Sequence, residues 1–204
     1  MTDHIALTED DLGEPGVFEA TTLHSPLAIP RCAVLCFFNE LLDRLALEGE
    51  LEPIYTLRSE VGRNPVYQFQ TDLGAVVVVH PGLGAPMAAG FTEEIAALGV
   101  TTFVACGGAG ALVDHLALGH VMVVDSAVRD EGTSFHYVAP DRIIEAQPLG
   151  VAVLKSVLEE WELTPSSVGP GRPTQFFARR VLESTVASPK AVRWSTWSHL
   201  PSSQ

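Results

Sequence analysis

Two short apolar runs in this chain stop on glycine, and they limit its possible folds more than any other feature. The first is "LGAVVVVHPGLGAPMAAG", four consecutive valines leading into a histidine, a proline and two glycines; the second is "VTTFVACGGAGAL". A β-branched run with no polar relief on either side reads as a strand covered on both faces, because a half-exposed strand would alternate. Such a strand needs a layer above and a layer below it, so the chain is expected to be α/β, with helices flanking a central sheet. At 204 residues it has room for one sizeable domain with its own core.

The remaining segments fit that architecture. "RCAVLCFF" reads as a buried strand and "NELLDRLALEGE" as an amphipathic helix capped by Asn39. "NPVYQFQT" alternates like a half-buried strand. "MAAGFTEEIAALG" is a helix closed by Gly99, "LGHVMVVDSAV" a strand, "RDEGTSFHYVAP" a polar loop, and "PLGVAVLKSVLEEWEL" a second amphipathic helix. Strands alternating with helices predict a mixed, largely parallel sheet. Residues 1–30, rich in Thr, Pro and Asp, lack periodicity and read as an extended arm; residues 31–167 form the α/β domain; residues 168–204 show no consistent face and read as a disordered tail.

Composition excludes several classes of function. Twelve Lys and Arg against 25 Asp and Glu give a formal charge of −13, too acidic for a general nucleic-acid surface. No apolar run approaches a bilayer span and the N-terminus is acidic where a signal peptide would be basic, so a cytoplasmic protein without a membrane segment is expected. Cys32, Cys36 and Cys106 lie in apolar segments without a CxxC, which predicts buried thiols in a reducing compartment and no metal site. A small-molecule ligand remains.

The glycine corners are where it would bind. In open α/β sheets ligands sit outside the carboxyl ends of the strands, where glycine lets backbone N–H groups approach an anion and a following helix N-terminus adds positive potential. G-x-G after a strand equally serves as a tight strand-to-helix turn, so taken alone both readings stand. "GLGAPM" places Met87 where a dinucleotide fingerprint has its third glycine, no acid ends a following strand at the required spacing, and no GK[ST] is present; Rossmann and P-loop sites are disfavoured.

Together the corners are more specific. "GLGAP", "EEIAALGVTTFVACGGAGAL", "LGHVMVVDSAV" and "GTSFHY" follow one another in residues 75–140, and in this order and spacing the stretch resembles the nucleoside phosphorylase family, the uridine and purine phosphorylases with their nucleosidase relatives. The resemblance implies that phosphate attacks the anomeric carbon of a purine or pyrimidine nucleoside, giving free base and ribose 1-phosphate, with inorganic phosphate as co-substrate and no further cofactor. It implies that Gly82 and Gly84 in the first loop and Gly107, Gly108, Ala109 and Gly110 in the second line the phosphate and nucleoside floor. Arg63 in "GRNPVY" is the nearest match to an arginine that reaches phosphate in a neighbouring subunit, and a homo-oligomer is implied with it. The "GTSFHY" loop is implied near the rim, with Ser134 and His136 as contacts. His80 either touches ligand or caps its strand, and Asp125 either lines the cleft or caps a loop. Glu93 and Glu94, adjacent on a helix, point in different directions and read mainly as a solvated face. His4, His24, His115 and His120 have no constellation around them.

The sequence also departs from the family. Uridine phosphorylases carry an arginine before the second glycine loop and a hydroxyl within it, where this chain has Ala105, Cys106, Gly108 and Ala109. Their early G-D-P-x-R phosphate loop is replaced by "CFFNELLDRL". Fewer charge-assisted bonds to phosphate keep a hydrolytic nucleosidase open as the alternative, and a non-catalytic nucleoside-binding remnant beside it. Residues 168–204 hold five of the cations but one acid, Glu183, and no Met, so the family's Met-Glu ribose clamp is missing. A reading-frame shift accounts for both features, since residues 171–180 and 194–198 can be encoded so that one shifted frame reads Thr-Thr-Asp-Ala-Val-Leu-Arg-Glu-Thr and Val-Asp-Met-Glu. The expectation is a family domain lacking its C-terminal part, with impaired activity; a divergent natural end is the alternative, and the gene's nucleotide sequence decides between them.

Overall fold

A computed structural model describes residues 19–161 apart from 112, 113, 115, 117 and 118, together with residues 7 and 16 and the backbone of 166–168. The segment expected as a tail lies outside the described residues beyond Val168, as do His4, His115 and most of the expected arm. Within the arm, Ala20–Leu23 form a short helix, α1.

A five-stranded mixed sheet carries the fold. Its strands are β1 (Cys32–Cys36), β2 (Leu51–Ser59), β3 (Gly62–Thr71), β4 (Gly74–Val79) and β5 (Thr102–Cys106), in the order β2-β3-β4-β1-β5. β1 is central and parallel to both neighbours, with Ala33 level with Val77 on one side and Phe103 on the other. β2 and β3 form an antiparallel hairpin that joins β4 antiparallel, so the parallel part of the sheet is β4-β1-β5. β2 was not evident as a strand in the sequence: it is an edge strand, interrupted by Pro53 and a register shift between Pro53 and Tyr55, and its pattern is correspondingly weak.

Two helices cover opposite faces, which explains the continuous valines. α2 (Asn39–Leu47) packs Leu42 over Cys36, Val78 and Leu51. α3 (Ala85–Ala97) packs Phe91 and Ile95 over Ala33, Leu35, Val77, Val79, Phe103 and Ala105. Alternate residues of β1 and β4 thus serve different helices, and burying each large side chain stabilises the fold by about 2 kcal/mol. Gly99, at φ 121°, ends α3 as expected: its N–H bonds to the Ala96 carbonyl and Val100 N–H to that of Ile95, a Schellman closure. Asn39 does not cap α2. It is the first helical residue, and its side-chain amide instead donates to Asp43 at 2.8 Å.

Beyond β5 the expected single strand "LGHVMVVDSAV" is two. β6 (Met122–Val124) pairs in parallel with β9 (Ser166–Val168), and β7 (Ser126–Val128) pairs antiparallel with β8 (Ile143–Glu145). The break is Asp125, whose carbonyl accepts from Ala146 N–H while its carboxylate accepts from the Ser126 hydroxyl. α4 (Pro148–Glu160) follows β8, with Gly150 buried and Leu149, Val153, Val157 and Trp161 exposed in a row.

Three further expectations need correction. Cys32 is exposed at the start of β1, whereas Cys36 is buried and Cys106 half-buried. His24 does have partners: Nε2 lies 2.9 Å from the Glu94 carboxylate and Nδ1 3.2 Å from the Tyr55 hydroxyl. Glu94 is accordingly engaged rather than solvated, and the three side chains tie residue 24, β2 and α3 together.

Candidate functional site

Because β4, β1 and β5 are parallel neighbours, their carboxyl ends open at one edge, and the loops leaving them are brought side by side. These loops are residues 80–84 after β4, residues 37–38 after β1 and residues 107–111 after β5. The crevice between them is where an open α/β sheet receives its ligand, because helices leave on both faces there and the loops splay.

The first loop turns on two left-handed glycines, Gly82 at φ 82° and Gly84 at φ 86°. Pro81 and Gly82 are buried, and a Cβ on Gly82 would overlap the Met87 sulfur. Gly82 N–H donates to His80 Nδ1 at 3.1 Å, which leaves Nε2 as the protonated ring nitrogen, and burial pushes the imidazole below its ordinary pKa. His80 is therefore a neutral brace for the corner, and its own carbonyl accepts from Asn64 Nδ2 at 2.6 Å. Gly84 caps α3 without any side-chain bond, and Pro86 sits in the first turn. The opening amides of α3 are thus directed toward the crevice end of the sheet, where a helix favours an anion.

The second loop is held against the first through Phe37. Phe37 N–H donates to the Cys106 carbonyl at 2.9 Å, and its ring meets His80 edge-on with centroids 6.0 Å apart. A Cβ on Gly107 would press on the Phe37 side chain at 3.1 Å, while Gly108 faces the Phe38 ring and Gly110 faces open space. Gly108, Ala109 and Gly110 are exposed. Gly82, Gly84 and Gly107–Gly110 are therefore brought to one end of the sheet. The phenylalanine joining them was not anticipated as a contact; nothing in the sequence says that β1 lies between β4 and β5.

Arg63 lies apart from this junction. It is exposed at the start of β3, directly opposite Arg58 on β2, so two cations share the end of the hairpin. The rim loop is organised independently. Arg129 is buried, donating from Nε to Ser134 Oγ at 2.9 Å, from Nη1 to the Ala139 carbonyl at 2.7 Å and from Nη2 to that of Val138 at 2.8 Å, with its guanidinium 4.3 Å from the Phe135 ring centre. Ser134 also donates its hydroxyl to Glu131 and its N–H to the same carboxylate, so its side chain is committed to the loop. His136 is exposed. Tyr137 hydrogen-bonds Glu93 of α3; burial raises both groups above their ordinary pKa values, so Glu93 is a half-buried partner rather than a member of a solvated face. Asp125 caps the strand break described above. Among the described residues no three His, Cys, Asp or Glu side chains are grouped as metal ligands, and no helix is long and apolar enough to cross a membrane.

Known proteins resemble this chain in sequence and in fold. Residues 31–186 match the Phosphorylase superfamily. The chain is 29% identical to uridine phosphorylase of Escherichia coli over 134 residues, 66% of this chain and 46% of that protein. It is 31% identical to guanosine phosphorylase of Halorubrum lacusprofundi over 134 residues, 66% of this chain and 47% of that protein. It is 41% identical to uridine phosphorylase of Haemophilus influenzae over 63 residues, 31% and 25% of the two chains. The matches thus span less than half the length of these relatives. Among solved structures, purine nucleoside phosphorylase from Toxoplasma gondii in complex with immucillin-H superposes with a TM-score of 0.57 at 19% identity, over 68% of this chain and 55% of that one, a likeness of fold. With a family match that begins at β1 and takes in both glycine loops, the chain belongs to the phosphorylase superfamily.

Proposed function

We propose that the crevice at the ends of β4, β1 and β5 is the substrate cleft of a nucleoside phosphorylase, in which phosphate displaces the base of a purine or pyrimidine nucleoside to leave ribose 1-phosphate. The observation that carries this reading is the convergence of two glycine loops on one end of a parallel sheet within the family match. Gly82 and Gly84 keep side chains out of the first wall, and Gly107, Gly108, Ala109 and Gly110 keep the second low, so backbone amides and the start of α3 face the anion. Phosphate and nucleoside are the partners, and no further cofactor takes part. The reaction passes through an oxocarbenium-like centre, so holding the anion close to the anomeric carbon supplies both orientation and charge. Ser134 and His136 belong to the rim by this reading, with Arg129 fixing the loop that carries them.

Arg63, exposed and opposite Arg58, is suited to reach a phosphate held by a second copy, which makes a homo-oligomer in a cytoplasmic setting part of the proposal. Phe37, rather than a cation, follows β1, and that favours weak phosphate binding by one chain alone. It also sustains nucleoside hydrolysis by water as the second reading. Calorimetric titration tests the cleft: inorganic phosphate and then uridine or guanosine give saturable heats, and Arg63→Ala weakens the phosphate step alone. Absence of heat from every ligand overturns the proposal.

A further inference from the structure

We propose that Cys36 and Cys106 are a reversible redox pair that closes into a disulfide joining the ends of β1 and β5. The two residues are exact register partners on adjacent parallel strands. Both fall on the α2 face of the sheet, in the cluster with Leu42 and Val78, and the Cys36 thiol lies 4.0 Å from the Phe38 carbonyl. Neighbouring strands lie about 4.8 Å apart, inside the roughly 4.4–6.8 Å that a disulfide spans between Cα atoms. Cys36 is buried and Cys106 half-buried, so the pair lies at the edge of the core. Cys32, the third thiol, is exposed at the opposite end of β1 and takes no part.

The effect of each thiol on the other supports the chemistry. The Cys106 thiol beside Cys36 draws the latter down to about 6, while Cys106 itself is pushed up, so the thiolate of the pair is Cys36 and the proton stays on Cys106. The Cys36 thiolate attacks the O–O bond of hydrogen peroxide, forming Cys36–S–OH and releasing hydroxide. The Cys106 thiol then attacks the sulfenic sulfur, the S–S bond forms, the S–O bond breaks, and the Cys106 proton leaves with the hydroxyl oxygen as water. Two thiols and one peroxide give one disulfide and two waters, and a dithiol reverses the bond by exchange. The bond fixes the strand ends that carry Phe37 and Gly107, which already touch. Its effect on turnover rests on the nucleoside-cleft reading, but its formation does not.

The full chain carrying Cys32→Ser, which leaves the pair and the core intact, is treated with equimolar hydrogen peroxide and mapped by mass spectrometry without reduction. Cleavage at Arg31, Arg44, Arg63 and Arg129 puts Cys36 and Cys106 on separate peptides. The expected result is loss of both thiols, a mass lower by about 2 Da as two hydrogens leave, linkage of those two peptides within one chain, and reversal by dithiothreitol. Unchanged thiols, a bond between chains, or Cys36 oxidised to the sulfinic acid beside a free Cys106 overturns it. Because the readout is mass, this failure is distinct from any failure of phosphorolysis.

Discussion

A methyl group at Gly82 would meet two obstacles, a backbone at φ 82° and the sulfur of Met87, whereas at Gly84 only the backbone objects. Gly82→Ala is therefore expected to cost roughly 3 kcal/mol or more, the sum of left-handed strain and overpacking, and Gly84→Ala about 1–2 kcal/mol. Urea unfolding of both variants checks the ranking; equal losses would mean that Met87 moves aside freely. Glu93 permits a second test at this scale. Its carboxyl is raised by burial, so the folded chain binds that proton more tightly than the unfolded chain does. The contribution to stability is present below the ordinary carboxylate range and is lost as pH rises through the raised value. Glu93→Gln keeps an acceptor for the Tyr137 hydroxyl and carries no charge, so its melting temperature is expected to stay flatter across that window than the parent's. An unchanged slope in the variant would assign the pH dependence to other groups.

At the level of elements, the rim loop depends on one buried cation. Arg129 closes residues 129–139 through two backbone carbonyls and Ser134, and a lysine cannot reproduce that planar fork. Arg129→Lys is expected to destabilise the chain by about 3 kcal/mol, and to increase amide exchange in residues 131–139 while leaving β1 and β4 protected. Uniform loss of protection would contradict a local role. The same scale shows why some elements were legible in advance. β1, β4 and β5 are largely apolar runs with buried or half-buried residues on both faces, and α3 combines a left-handed glycine stop with a proline in its first turn, so composition and position agree. β2 carries Pro53 on an edge, and β8 is three residues long, so neither leaves a periodic trace. The division of "LGHVMVVDSAV" turns on where one Asp125 carbonyl finds its donor, which is a tertiary matter.

For the molecule as a whole, the glycine loops could be read from the sequence because their local geometry admits few other residues. The parts of the crevice created by strand order could not: Phe37 against His80 and Gly107, and Cys36 beside Cys106, follow from β1 inserting between β4 and β5. That insertion is also what makes a ligand crevice, since it gathers three loops at one edge. The central claim is that phosphate is the nucleophile received there. Base release from uridine and guanosine, followed with and without inorganic phosphate and with the sugar product identified by phosphorus NMR, tests it most directly. The account predicts release that requires phosphate and yields ribose 1-phosphate in equal amount to the base; release at the same rate without phosphate, with free ribose as the product, would contradict it.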